Sequence, residues 1–525
     1  MATPLGNEIV KSFKLRGYSL KLDARKHFES LLSALEDRSE VKEWMGKVLD
    51  TIEKRLELLS PLIGKEDLLR AIQDCSREES GEDDHHVLSI ISAFQVPKFT
   101  YSYERKKYIP SANPSSLLYS GADAKAELFN SRYDLLCQRT SRHDLFTPAV
   151  AGGSSKEKKF HLKKIDYLLG TSDKLSDVII LGMISQMKSN RYSLEDPTGV
   201  VTMDLSETKF QSGLYAEGCF VLVEGWYEDY TFHVIAMGFP PTEKSETTRA
   251  YFGDINFFGG PMKSCVKSNK RLAQMEKDRT DSMFVFLSDV WLDKPAVQTK
   301  LHQLFTGYSS MPPICFVFMG NFLSAPYATS EVPNVLKEHF RVLGETIAEY
   351  PDLVENSRFV FVPGPTDPGL PNIFPRPPIP KYIAGDLLKK VPGAVLATNP
   401  CRIQYCTQEI VLFREDIVTK MCRNCIYFPE SGDIPTHFSK TIISQSHLAP
   451  LALHICPIYW EHDAAMSLYP VPDLLVIGDK FDPFVSSQLD CQIVNPGSFE
   501  KNDFSFKTYV PKTRLIEESQ IPSTE

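Results

Sequence analysis

Four apolar runs in the second half of the chain end abruptly on Gly or Asp: FVFLSD (284–289), ICFVFMG (314–320), RFVFVPG (358–364) and LLVIGD (474–479). Each is short, rich in Val, Ile and Phe, and apolar without alternation. That is the pattern of a strand buried on both faces. Helical patterns lie between the first three, as in PNVLKEHFRVLGETIAEY (333–350), and a further β segment follows in CRIQYCTQEIVLFRED (401–416). Strands alternating with helices predict a sheet covered on both sides, with ligand chemistry gathered on the loops that leave the strands' carboxyl ends.

The preceding 200 residues follow a different period. DVIILGMISQM (177–187) reads as a strand, YSLEDPTGVVTMDLS (192–206) as two strands about an Asp-Pro-Thr-Gly turn, and CFVLVEGWYEDYTFHVIAMGF (219–239) as two more turning near Glu228-Asp229. Short strands at this spacing without crossover helices predict a small closed barrel. A helix is expected over 121–142, with Leu128, Tyr133, Leu135 and Leu136 among its apolar positions. Residues 1–75 carry helical stripes (Phe28, Leu31, Leu32, Leu35; then Val41, Trp44, Met45, Val48, Ile52; then Leu68, Leu69, Ile72) broken at Ser60-Pro61 and Gly64. SREESGEDDHH (76–86) and the Pro- and Ser-rich run to about 115 read as a solvated linker. The expected division is therefore 1–75 helical, 76–115 linker, 116–255 barrel and 256–525 α/β, in keeping with about three domains for 525 residues. A net charge of −9 opposes a role coating nucleic acid, and eleven scattered cysteines fit a reducing compartment. No apolar run is long enough to span a bilayer.

The strand-end residues carry the functional signal. From residue 284 their order resembles the calcineurin-like metallophosphoesterases, whose strand ends supply D-x-H, G-D-x-x-D, G-N-H-D/E, a lone His and G-H-x-H. In this chain the corresponding positions are Asp289-Val290-Trp291, Gly320-Asn321, Gly364-Pro365-Thr366-Asp367, His447 and Gly478-Asp479-Lys480-Phe481. Two-metal hydrolysis needs anionic or imidazole ligands around a pair of cations about 3.5–4 Å apart. Indole offers no lone pair, and Asn lacks the bridging charge. Lys480 would add a fixed cation to the same cleft, and Trp291 is expected to fill space that ions would occupy. The reading is thus no catalytic residue, no metal and no cofactor, with Asp289, Trp291, Asn321, Thr366, His447, Asp479 and Phe481 as degenerate metal positions.

An inactive phosphoesterase preceded by a small barrel is the arrangement of the B subunits of replicative DNA polymerases. VFVPGPTDPG (360–369), LPNIFPRPPIP (370–380), TNPCRIQYCTQEIVLFRED (398–416), VIGDKFDPF (476–484) and FFGGP (257–261), together with the helical N-terminus, resemble the epsilon branch of that family. The resemblance implies a multidomain α+β protein: an N-terminal α-helical bundle like the lid domain of AAA+ ATPases, an OB-fold β-barrel and a C-terminal four-layer calcineurin-like phosphoesterase sandwich. It implies a nuclear scaffold for DNA replication and repair. The implied partners are the zinc-binding C-terminal region of the polymerase's catalytic subunit and two small histone-fold subunits, and a contact with the replicative helicase is left open.

Two rival functions compete with the scaffold. One is a residual phosphodiesterase or exonuclease using one metal. The other is single-stranded DNA binding by the barrel, through Trp226, Tyr227, Tyr230 and Phe232, although Glu224, Glu228 and Asp229 oppose a phosphate backbone. Cys401, Cys406, Cys422 and Cys425 invite a zinc reading, since MCRNC is C-x-x-C, but are expected to be structural thiols, because four residues separate the first pair and a strand would turn them to opposite faces. The Pro-rich 370–380 run is expected to be a stiff surface loop, with a polyproline ligand as its alternative. KSNKR (267–271) is weak as an import signal, and GGPMKS (259–264) lacks the order of a phosphate loop.

Overall fold

The computed structural model describes residues 4–32, 41, 44–46, 48–49, 51–52, 62–69, 71–72, 87–111, 117–147, 159–188, 191–324, 330–369 and 372–522. The acidic stretch 76–86 with His85 and His86, as well as Leu35, Ser60 and Pro61, lies outside these residues.

The four apolar runs become strands as their composition requires. Phe284–Ser288, Cys315–Met319, Arg358–Val362 and Ala394–Leu396 form a parallel set, continued on the Phe284–Ser288 side by the antiparallel pair Ser505–Val510 and Leu515–Gln520. A second six-stranded sheet runs Phe484–Gln488, Cys491–Asn495, Leu474–Gly478, Gln408–Arg414, Cys401–Tyr405 and Leu88–Ser92. The two sheets face each other. Phe284, Phe286, Val317 and Val360 of the first share one core with Ile403, Leu412, Leu474 and Val476 of the second. The opposite face of the first sheet packs Phe316, Phe318 and Phe361 against Leu301, Phe305, Phe340 and Leu387 from its helices. The opposite face of the second packs Phe413 and Ile477 against Ile442, Ile443 and residues of the barrel. The result is a four-layer α/β sandwich. Both faces of each sheet are largely apolar, and buried polar groups at the strands' carboxyl ends include Ser288, Asp289, Asn321, Arg414 and Asp479.

The barrel is closed by a parallel pairing of Gly199–Asp204 with Thr231–Gly238, which joins Leu175–Lys188, Arg191–Asp196 and Phe220–Glu228 into one ring. This is the OB-fold. The Asp-Pro-Thr-Gly turn is held by Asp196. Its Oδ1 accepts from the Thr198 and Gly199 amides, and its Oδ2 accepts from the Ile165 amide at 2.9 Å. A bulge at Glu224/Gly225 brings the strands so close that a Cβ at Gly225 would collide with the His233 carbonyl.

Three sequence expectations change here. Residues 87–111 are not linker. Leu88–Ser92 is the edge strand of the second sheet, and Phe99–Ser102 pairs with Lys107–Pro110 as a hairpin whose Tyr108 ring stacks on Phe252 at 4.4 Å. The polar residues that suggest a linker occupy alternate strand positions and the turn. The described part of the Pro-rich run, 372–380, is not a surface loop throughout: Phe374, Arg376 and Ile379 are buried, and the Phe374 amide donates to the Pro457 carbonyl. Within the N-terminal helix Leu22–Leu32, Phe28 and Leu32 join a core with Phe13, Met45, Val48 and Leu68, whereas Leu31 is 40% exposed. That helix buries a narrower stripe than its sequence offers.

Candidate functional site

Five strand ends converge where the two sheets meet, and a guanidinium sits among them. Arg414 is the last residue of the strand Gln408–Arg414 and has 0% exposure. Its Nη2 donates to Asp289 Oδ1 at 2.7 Å, and its Nη1 donates to Asp416 Oδ1 and to the Gly478 carbonyl, each at 2.9 Å. Its Nε donates to the Gly320 carbonyl. One side chain therefore ties together the ends of Phe284–Ser288, Cys315–Met319, Gln408–Arg414 and Leu474–Gly478, crossing both sheets. Burial acts to lower the Arg414 pKa, but the charges of Asp289 and Asp416 outweigh it and raise the value, so the group stays cationic. Glycine is required beside it. A Cβ on Gly478 would lie 2.6 Å from Ser288 Oγ and 2.8 Å from Arg414 Cδ, and one on Gly320 would strike the Asp367 carboxylate.

The remaining polar groups of the cleft are committed to N–H donors. Asp289 Oδ1 also accepts from the Asn321 amide at 3.0 Å. Asp367 accepts from the Phe322 and Gly364 amides at 2.9 and 2.7 Å, and Asp479 accepts from the Phe481 and Val418 amides at 2.8 and 2.9 Å. Burial nevertheless dominates for both carboxyls and pushes each pKa up to about 6. The Asn321 side-chain oxygen accepts from the Thr366 amide at 2.9 Å. Within this donor set, and among the described residues, only Asp289 Oδ2 is a buried carboxylate oxygen without a partner. These residues do not fit a pair of divalent cations: the lone pairs point at amides, and a fixed positive charge occupies the approach to Asp289. Among the described residues no three His, Cys, Asp or Glu side chains converge as a metal ion would need.

The residues singled out by sequence divide into two places. Asp289, Asn321, Thr366, Asp367 and Asp479 meet in this cleft, and the Phe481 amide closes onto Asp479. His447 makes its bonds elsewhere. Its Nδ1 accepts from the Ala449 amide at 3.0 Å, which makes Nε2 the N–H that meets Asp463 Oδ1 at 3.1 Å, beside Arg132 Nη2 at 2.9 Å. Burial first, and then the Arg132 charge, lower the His447 pKa, so the ring is neutral. Arg132 and Asp463 form a two-bond pair at 2.5 and 3.0 Å that clasps the helix Ala122–Arg142 to the sandwich. Lys480 is not the cation of the cleft. It is 43% exposed and pairs with Asp416 at the rim. Trp291 is 9% exposed and has Lys501 5.5 Å above its ring, so the group that meets the Asp289 carboxylate is guanidinium and not indole.

Sequence reasoning missed Arg414. Its signal is a charged residue ending an otherwise apolar strand, immediately before Glu415 and Asp416. The first cysteine pair differs from expectation in its facing. The strand stops at Tyr405, and Cys406 has a left-handed φ of 49°, so Cys401 and Cys406 enter the same core. Burial raises the Cys401 thiol to about 12 and the Cys406 thiol to about 11. Of the four barrel aromatics, Tyr227 and Phe232 are core, Trp226 stacks on His233, and only Tyr230 is fully presented to solvent.

Comparison with known families agrees with this architecture segment by segment. The B-subunit family of DNA polymerases alpha and epsilon matches residues 284–486, the DNA polymerase epsilon subunit 2-like OB-fold domain matches 122–241, and the DNA polymerases epsilon N-terminal family matches 1–75. DNA polymerase epsilon subunit 2 of Bos taurus is 50% identical over 523 residues, covering 98% of both chains. The chain belongs to the DNA polymerase epsilon subunit 2 family. The Homo sapiens and Drosophila melanogaster relatives of the same name are 50% and 40% identical, over 98% and 99% of this chain. A novel archaeal phosphodiesterase of solved structure is similar over 46% of this chain and 99% of its own, at 11% identity and a TM-score of 0.25. Membership of the epsilon subunit 2 family makes the fold an accessory polymerase component. Among the described residues no helix is long and apolar enough to cross a membrane.

Proposed function

We propose that this chain is a non-catalytic scaffold of the polymerase epsilon complex, working in the nucleus in chromosome replication and repair. The observation that carries the reading is the Arg414 guanidinium bonded at 2.7 Å to Asp289, the carboxylate that would hold a metal in a hydrolase. An internal cation does the structural work of an ion, locking the strand ends while leaving no Lewis acid to polarise a phosphoryl oxygen. Asp289, Trp291, Asn321, Thr366, His447, Asp479 and Phe481 are on this account degenerate metal positions put to structural use. The partners we assign are the catalytic subunit, through its zinc-binding C-terminal region, and the two small histone-fold subunits. A barrel over 116–255 and a sandwich over 256–525, joined by shared core, offer one rigid surface for an obligate interface, which in such assemblies exceeds roughly 2,000 Å².

Co-expression of the full-length chain with the catalytic subunit, followed by size-exclusion chromatography at micromolar concentration, tests this. Co-elution with one-to-one stoichiometry is expected. Separate elution, or manganese-dependent cleavage of a chromogenic phosphodiester that disappears in Asp289→Ala, would overturn it.

A further inference from the structure

A cavity of about 130 Å³ opens where the hairpin Phe99–Ser102/Lys107–Pro110, the helix Ala122–Arg142 and the loop around Trp460 meet. An apolar cavity of about 150 Å³ accepts a benzene ring, so this one has room for a single ring or one branched aliphatic side chain. Its walls are mostly apolar, with Phe99, Tyr101, Leu128, Phe257 and Trp460 among them.

The polar groups in the wall are unequally matched. All three of its carboxylates are engaged: Asp463 holds Arg132, Asp134 accepts from the Tyr103 hydroxyl at 3.0 Å, and Glu461 accepts from the Leu117 amide at 2.8 Å. Lys98, at the mouth, pairs with Glu127. Arg402 is the exception. It is 5% exposed, and among the described residues its Nη1 and Nη2 donate only to the carbonyls of Phe258, Ala464 and Ser467 and its Nε has no partner. Glu409, whose charge acts on Arg402, is held at both oxygens by Arg249. A buried guanidinium without a bonded anion is costly, and an incoming carboxylate would offset that cost.

The mouth carries apolar groups beside these polar ones. Leu117 is joined to Glu461 in the wall, and Tyr119, 82% exposed, rests edge-on against Tyr459, the neighbour of Trp460. A ring-sized socket with an uncompensated cation in its wall and an exposed apolar lip has the form of an interface anchor site.

We propose that this cavity receives a linear segment of a partner protein, an aromatic or large aliphatic anchor with an acidic residue beside it that reaches Arg402. The inference rests on the scaffold reading and adds a location and a chemistry to it. The test is to replace Tyr119 by p-benzoyl-phenylalanine in the full-length chain, assemble the polymerase complex, irradiate, and sequence the cross-linked peptide. The expected peptide comes from another subunit and carries Phe, Tyr, Trp, Leu or Ile within two residues of Asp or Glu. Ser131→Trp, or independently Thr100→Trp, both exposed positions at the mouth, should cut the cross-link at least tenfold without changing complex assembly. An assembled complex that gives no inter-subunit cross-link, a peptide without an acidic neighbour, or a yield indifferent to both Trp variants would overturn the docking site alone. Failure of the chain to assemble with any subunit would overturn the scaffold reading and the docking site with it.

Discussion

Replacing Arg414 by Met is the most informative perturbation of the fold, because it deletes the cation and keeps the apolar stem. The side chain donates to two carboxylates and two carbonyls, and both it and Asp289 are shielded from solvent. Screening therefore takes little from the interaction. Breaking a buried ion pair by removing one partner costs about 3–5 kcal/mol, chiefly because the other charge is stranded. At roughly 2–4 °C per kcal/mol for a domain of this size, the melting temperature of the sandwich should fall by about 6–20 °C. The stranded charge supplies an internal control. Adding Asp289→Asn to Arg414→Met removes that charge and should recover about 1–3 kcal/mol, whereas Asp289→Asn alone is destabilising. Differential scanning calorimetry and urea unfolding of the four proteins give the cycle. A melting temperature for Arg414→Met within about 2 °C of the wild type, or a second substitution that simply adds to the first, would refute the view that the guanidinium replaces an ion.

Three further outcomes follow from other parts of the molecule. Asp367 and Asp479 have pKa values raised to about 6 by burial, so the folded state favours their protonated forms. Each contributes stability that is complete below about pH 4 and is lost as pH rises through 6, on the order of 2–3 kcal/mol. The stability difference between wild type and Asp479→Asn should therefore shift in favour of the wild type between pH 7.5 and pH 5, and a difference constant with pH would refute this. Arg132→Ala strands Asp463 and unclasps the helix Ala122–Arg142. It should cost about 2–4 kcal/mol and speed amide exchange in that helix ahead of the sandwich strands, and uniform exchange would contradict the clasp. Gly225→Ala forces a Cβ against the His233 carbonyl and should destabilise the barrel by about 1–3 kcal/mol, which chemical denaturation followed by Trp226 fluorescence would register; an unchanged midpoint would count against it.

The sequence made the centre of the sandwich legible because Phe284–Ser288, Cys315–Met319 and Leu474–Gly478 are buried on both faces and read as short continuous apolar runs. The same holds for the barrel hairpins, where Asp196 and the residues after it write the turn in local chemistry. What escaped was non-local. Leu88–Ser92 is a strand only because Cys401–Tyr405, more than 300 residues away, offers an edge to pair with. Its own run is too short and too polar in its surroundings to declare itself. Arg376 was hidden in the same way, since a Pro-rich run reads as surface until its carbonyl partners at Gly364 and Asp367 are known. The cleft illustrates a sharper limit. The motif positions Asp289, Asn321, Asp367 and Asp479 are legible from strand ends, where the lost ligands leave Lys480 and Trp291 as the replacements within the motif itself. The replacement is Arg414, on a neighbouring strand end that contributes no position to the phosphoesterase motif. His447 kept the residue type of a metal ligand but is turned to Asp463 and Arg132, a pairing that needs two segments absent from the motif.

The central claim is that a protein side chain, and no divalent ion, supplies the positive charge between the strand ends. A crystal of the full-length chain grown with millimolar manganese, and measured for anomalous scattering, tests it most directly. Continuous guanidinium density from Arg414 within hydrogen-bonding distance of Asp289, with no anomalous peak in the cleft, is the expected result. A peak liganded by Asp289, with Arg414 displaced, would contradict it.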